Sequence, residues 1–234
     1  MSPIDPARLS CTHRSPLTPL ARIGWGLLLA AVVVWSADFL FDVFGKYRHV
    51  DPDTYTMFWD RRAWLWTHLA GGALTVLLGP VQLLTQRLRG TWRMHRWTGR
   101  LFLAGMLVAS TGAVGLIATS PAPSSIRIAF AATALAWLST ALVGLVSIRS
   151  GQVQRHGTWM IRCYLVTLAP ITFRAALHLP GVFSIVPPPP AGIAWLLWLS
   201  WMLPLAFYEV GRRARHSLAR APAKLAGAMS SHDA

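Results

Sequence analysis

Residues 64–86 read "WLWTHLAGGALTVLLGPVQLLTQ", a run without a single Asp, Glu, Lys or Arg. At about 1.5 Å of rise per helical residue, such a run is long enough to cross the roughly 30 Å hydrocarbon core of a bilayer. Its polar and small residues are not scattered. His68, Gly72, Thr75, Gly79, Gln82 and Gln86 recur at spacings of three and four, and so share one face of a helix. A membrane helix with such a face needs neighbours to cover it, so the stretch predicts a helical bundle and not a lone anchor.

The rest of the chain repeats the theme. Of 234 residues, 54% are apolar and 13% charged, with 12 tryptophans, which leaves too few charges to coat a water-soluble domain. Six apolar runs reach spanning length: 24–44, 64–84, 99–119, 128–148, 158–179 and 192–210. Between them lie Pro121 and Pro123, Gly151, and the four prolines of 187–190, none of which continues a helix well. The expected fold class is all-α, a polytopic membrane bundle of about six transmembrane helices. Three regions follow: a cytoplasmic N-terminal tail (1–22), the transmembrane domain (23–211), and a basic C-terminal tail (212–234) whose small, polar, Ala-rich composition predicts disorder. The first apolar run exceeds a signal-peptide core and no small-x-small cleavage pattern follows it before Asp38, so it reads as a retained helix. Two cysteines, Cys11 and Cys163, cannot build a disulfide framework or a cysteine-rich metal site.

The formal net charge is +14. Its basic residues form short clusters between apolar runs instead of one stripe interleaved with aromatics, which speaks against nucleic acid and for anionic headgroups of a bilayer. Arg8, Arg14 and Arg22 precede the first run, Arg87, Arg89, Arg93 and Arg96 fill the second connection, Arg149 and Arg155 the fourth, and Arg212, Arg213, Arg215, Arg220 and Lys224 follow the last run. The first connection offsets its bases with Asp51, Asp53 and Asp60, the third has only Arg127, and the fifth has none. Positive connections stay cytoplasmic, so the expected location is the bacterial inner (plasma) membrane with both termini inside. Residues 77–100 and 142–162 both run helix, basic loop, histidine, helix, and cross in the same direction, a weak sign of parallel duplication.

Candidate site residues come from the ionisable groups, because a charge near the bilayer centre costs about 2.5–3.5 kcal/mol on insertion scales. Arg174 and Asp38 lie inside the fifth and first runs, and a pair between them is the expected remedy; snorkelling to the interface is the alternative. If the fifth helix begins near His156, then Cys163, Thr167, Pro170, Arg174 and His178 share that histidine's face. By depth the histidines make an outer pair, His68 with His178, and an inner pair, His95 with His156. Two facing histidines are what axial ligation of a b-type haem iron requires, with Arg61, Arg62 and Arg174 outside and Arg93, Arg96, Arg100 and Arg155 inside as partners for propionates. Arg162 joins this cofactor-binding set by its place beside His156. His156 and His178 are about 33 Å apart along a straight helix, long for direct transfer between two haems. Otherwise the histidines are interfacial anchors touching headgroups or carbonyls, and no cofactor is needed. A third arrangement, His68 and His178 with Asp38 or Asp42, would suit zinc or ferrous iron in a membrane metallohydrolase.

The elements "LGPVQ" (Leu78–Gln82), "HRWTGR" (His95–Arg100) and "RHGTWMIRCY" (Arg155–Tyr164), with His68 and Arg174, resemble a bacterial family of multi-pass membrane proteins known as domain of unknown function 2306. The likeness covers roughly residues 60–180. It implies a helical bundle and no particular reaction. More loosely, the histidine pattern is similar to the six-helix di-haem b-type cytochromes, from which it departs by lacking a histidine in the fourth run. Two classes of function result: a haem-binding electron-transfer protein, with a quinone or a redox protein as partner, and a cofactor-free transporter, lipid-binding or assembly protein.

Overall fold

The structure is a computed structural model that describes residues 19–86, 88 and 90–230. Among these, six helical stretches are long and apolar enough to span a membrane, and no strand occurs. Helix α1 (Pro19–Tyr47) is the first span. A short α2 (Pro52–Tyr55) and a 3-10 turn (Thr56–Arg61) lead into α3 (Arg62–Thr85), and α4 (Trp92–Ala118) and α5 (Ser124–Arg149) are the third and fourth spans. The fifth span is split into α6 (Val153–Thr167) and α7 (Ala169–Leu177); after α8 (Val182–Ile185) the last span opens α9 (Ala191–Ser230).

Two local differences from the sequence reading have plain causes. The fifth run was expected to be one helix with a face from His156 to His178. Pro170 has no N–H to give to the carbonyl four residues back, and the helix restarts beside it, with Ile171 N and Thr172 N both bonding Leu168 O at 3.0 Å. At the other end of the chain, residues 212–230 were expected to be disordered but continue α9, as Ala, Arg, Lys and Leu favour a helix. The remainder of that tail and residues 1–18 of the N-terminal tail lie outside the described residues.

The bundle is organised as two antiparallel hairpins, α3 with α4 and α5 with α6, against which α9 and α7 pack, while α1 lies at the edge. Small residues set the closest approach. A Cβ on Gly71 would stand 2.4 Å from Ala109 N and Gly105 O, and one on Gly112 2.4 Å from His68 N, so the α3 and α4 backbones touch. Between the hairpins, Phe102, Met106, Ala141, Cys163 and Tyr164 form a buried cluster. Leu27, Leu28, Val34, Trp35 and Phe41 of α1 are exposed apolar side chains, as a lipid-facing helix requires. At the end of the bundle away from the basic loops, Asp51 caps α2: Thr54 N and Thr54 Oγ1 each donate to its carboxylate at 2.7 Å, which holds that carboxyl below the usual carboxylate range.

Candidate functional site

The α3 sequence Gly79-Pro80 places two unusual features side by side. Pro80 cannot donate to Val76 O, and the side-chain hydroxyl of Tyr164, from α6, lies 3.5 Å from that same carbonyl. Gly79 makes the approach feasible, since a Cβ there would fall 1.8 Å from the Tyr164 ring. One turn further, Gln82 Nε2 donates to His95 O at 3.0 Å and to Thr98 Oγ1, tying α3 to the first turn of α4. The "LGPVQ", "HRWTGR" and "RHGTWMIRCY" elements thus meet in space.

They meet around a cavity of about 890 Å³ at the basic-loop end, within the range of sites that hold small organic molecules. Its walls include Gln82, His95, Arg100, His156, Met160 and Tyr164, with Arg96 beside Arg100. The inner histidine pair is therefore brought together. Each ring is also oriented by its neighbour helix. His156 Nδ1 lies 2.8 Å from Gly144 O, a pure acceptor, so Nδ1 carries the proton. His95 Nδ1 lies 3.0 Å from Thr85 Oγ1, whose one proton is given to Val81 O at 2.8 Å, so the hydroxyl accepts and His95 Nδ1 donates. In a neutral ring so held, the lone pair is on Nε2, the arrangement that metal-ligating histidines use.

The outer pair is not brought together. His68 Nδ1 donates to Ala109 O at 2.9 Å, and His68 lines a second cavity of about 490 Å³ in the other half of the bundle. His178 is exposed at the end of α7 and lines neither cavity. Among the described residues no three His, Cys, Asp or Glu side chains gather in a metal-holding group, so the trio of His68, His178 and Asp38 or Asp42 is not assembled.

The arginines divide in the same way. Arg174 pairs with Asp42 through Nη2 and Oδ2, and not with Asp38: Asp42 is one turn further along α1. Arg162 Nε meets Glu209 Oε1 of α9 at 2.7 Å and its guanidinium stacks over Trp159 at 4.2 Å, so its charge is already answered and it is a fastener between α6 and α9. Glu209 also takes Arg212 at 2.9 Å. Arg61 is buried, with Met57 O and Leu116 O accepting from its guanidinium, and Arg62 lies over Trp59. Arg155 is exposed and donates to Gln152 Oε1 at 3.2 Å. Of the inner arginines considered for an anionic group, Arg96 and Arg100 line the cavity.

Thr85, which fixes the His95 ring, escaped the sequence reading because a lone threonine in an apolar run looks like a packing residue. Its i,i+10 relation to His95 across a basic loop is the signal that could have found it.

Neither a search of curated proteins nor one of solved structures finds a match. A family model described as "Predicted membrane protein (DUF2306)" matches residues 65–210, which include every motif around the larger cavity. The chain belongs to that family of membrane proteins.

Proposed function

We propose that this protein binds one b-type haem in the larger cavity, where His95 and His156 would hold its iron, and that it carries electrons at the cytoplasmic side of the inner membrane. One observation carries the reading: both imidazoles line a single cavity, each with Nδ1–H given to an oxygen of the adjacent helix and Nε2 left as the ligating nitrogen. Arg96 and Arg100 supply the charges that propionates need. Gln82, by holding the His95 carbonyl, fixes the first turn of α4 and with it the ring. Tyr164 and Phe102 wall the cavity from the bundle interior. A bound haem b supplies one-electron chemistry; the chain supplies two neutral nitrogen ligands, two cations and a low-polarity wall.

Dithionite-reduced minus oxidised spectra of purified protein, expressed with ample haem, test this. The expected result is a b-type α band lost in His95→Ala and in His156→Ala but kept in His178→Ala. Folded protein without a Soret band would overturn the proposal and leave the cavity to an amphiphile.

A further inference from the structure

The second cavity is a site of a different kind. It is elongated along the bundle: on α5 its lining runs from Arg127 to Trp137, about 15 Å at the helical rise, and on α3 from Leu65 to Val76, a similar distance. Phe39, Phe130, Trp137 and Phe173 are among its apolar walls. The threonines between them have spent their protons. Thr75, Thr133 and Thr167 donate to Gly72 O, Ala129 O and Cys163 O of their own helices at 2.7, 2.9 and 3.0 Å, and Trp137 Nε1 donates to Thr167 Oγ1 at 2.8 Å. A hydrocarbon chain lying along this wall strands none of these donors.

Charge is confined to one end. The lining contains no Asp or Glu, and its two arginines, Arg61 and Arg127, are both at the end away from the basic loops. Arg61 is buried and donates to Met57 O and Leu116 O, which carry no net charge and leave its own uncancelled. Arg127, exposed and one turn into α5, has no hydrogen bond, ion pair or ring contact among the described residues. His68, the remaining ionisable group of the lining, has its Nδ1–H on Ala109 O, so its neutral ring has no proton left for an anion.

We propose that this cavity binds a single-chain fatty carboxylate, with the chain along α3 and α5 and the carboxylate on Arg127. Charge complementarity selects the head: an acid supplies both the acceptor and the counter-charge that Arg127 lacks, whereas an alcohol supplies the acceptor alone. Volume selects the tail. At about 490 Å³ the cavity is in the lower half of the roughly 300–1,000 Å³ spanned by small-molecule sites, which suits one chain and not the pair of a phospholipid. The site is separate from the larger cavity. On α3 the lining of one ends at Val76 and of the other begins at Gly79.

The test is a scintillation proximity assay of the full chain in dodecyl maltoside with tritiated palmitate. Palmitate should bind saturably and be displaced by unlabelled palmitate. Hexadecanol, which keeps the chain and loses the charge, should compete about tenfold or more weakly, and so should dioleoylphosphatidylglycerol, which keeps an anion and doubles the chain. Since Arg127 contacts no other side chain, its replacement leaves the fold intact: Arg127→Gln should weaken palmitate by about tenfold or more, and Arg127→Lys should restore it. Ala134→Phe, which fills the cavity from a lining position and leaves the arginines in place, should abolish binding. His95→Ala should leave the titration unchanged, so a failed haem reading and a failed carboxylate reading are separable. Absence of saturable binding, equal competition by hexadecanol or the phospholipid, or undiminished binding to Arg127→Gln or Ala134→Phe overturns the proposal.

Discussion

At the scale of single residues, apolar surroundings force every polar group to find a partner, and the partners found are specific. Asp38 and Asp42 are a turn apart on α1, and sequence alone gives no reason to prefer either for Arg174. The structure pairs Arg174 with Asp42, with the two side chains 37% and 45% exposed in the absence of lipid. Contacting charges couple by about 0.5–3 kcal/mol in double-mutant cycles, whereas residues that do not meet add. The thermal stabilities of Asp42→Asn, Arg174→Gln and the double variant should therefore be non-additive, the double change costing less than the sum. The same cycle with Asp38→Asn should be additive, and coupling there instead would place the ion pair where the sequence reading first put it.

At the scale of elements, hydropathy exposes the existence of helices but not their rotation. All six spans were legible, because twenty-odd apolar residues between charged loops have few other fates. The packing face of α3 was legible only to within one residue. The stripe through His68, Gly72 and Thr75 is the face toward the second cavity, and the helix contact itself is made by Gly71. The two adjacent glycines are indistinguishable as letters and opposite in environment: a Cβ on Gly71 meets the α4 backbone at 2.4 Å, and one on Gly72 meets nothing within 4 Å. Backbone cannot yield as a side-chain tip can. Gly71→Ala should thus destabilise by about 1–3 kcal/mol through overpacking, and loosen the His68–Ala109 link. Gly72→Ala should be neutral or stabilise by up to about 1 kcal/mol, since alanine is the better helix former. Thermal unfolding in detergent followed by circular dichroism distinguishes them. The interruption at Leu168 was illegible for a related reason: a proline within an apolar run can bend a helix or interrupt it, and the letters alone do not say which.

At the scale of the whole molecule, the two cavities sit at opposite ends of the bundle, and between them Met106, Ala141 and Cys163 form part of a packed layer. What each end faces is set by charge. The end with the larger cavity carries Arg93, Arg96, Arg100, Arg149 and Arg155, and α9 reaches it with Arg212, Arg213 and Arg215. The opposite end sets Lys46, Arg48, Arg61, Arg62 and Arg127 against Asp51, Asp53 and Asp60, and the 178–190 connection there has no Lys or Arg. Translocating the first set would move most of the basic residues that flank the spans across the membrane, which the positive-inside rule disfavours. Alkaline phosphatase, active only outside the cytoplasm, should accordingly be inactive when fused after Gly151 or after Arg215 and active when fused after Pro188. The outcome bears on function as well as topology. An inactive Gly151 fusion puts His95 and His156 within reach of cytoplasmic electron carriers and leaves the aromatic cavity in the outer half of the bilayer. Active phosphatase after Gly151 would reverse both assignments, and the proposed electron transfer would then have to be sought on the other face.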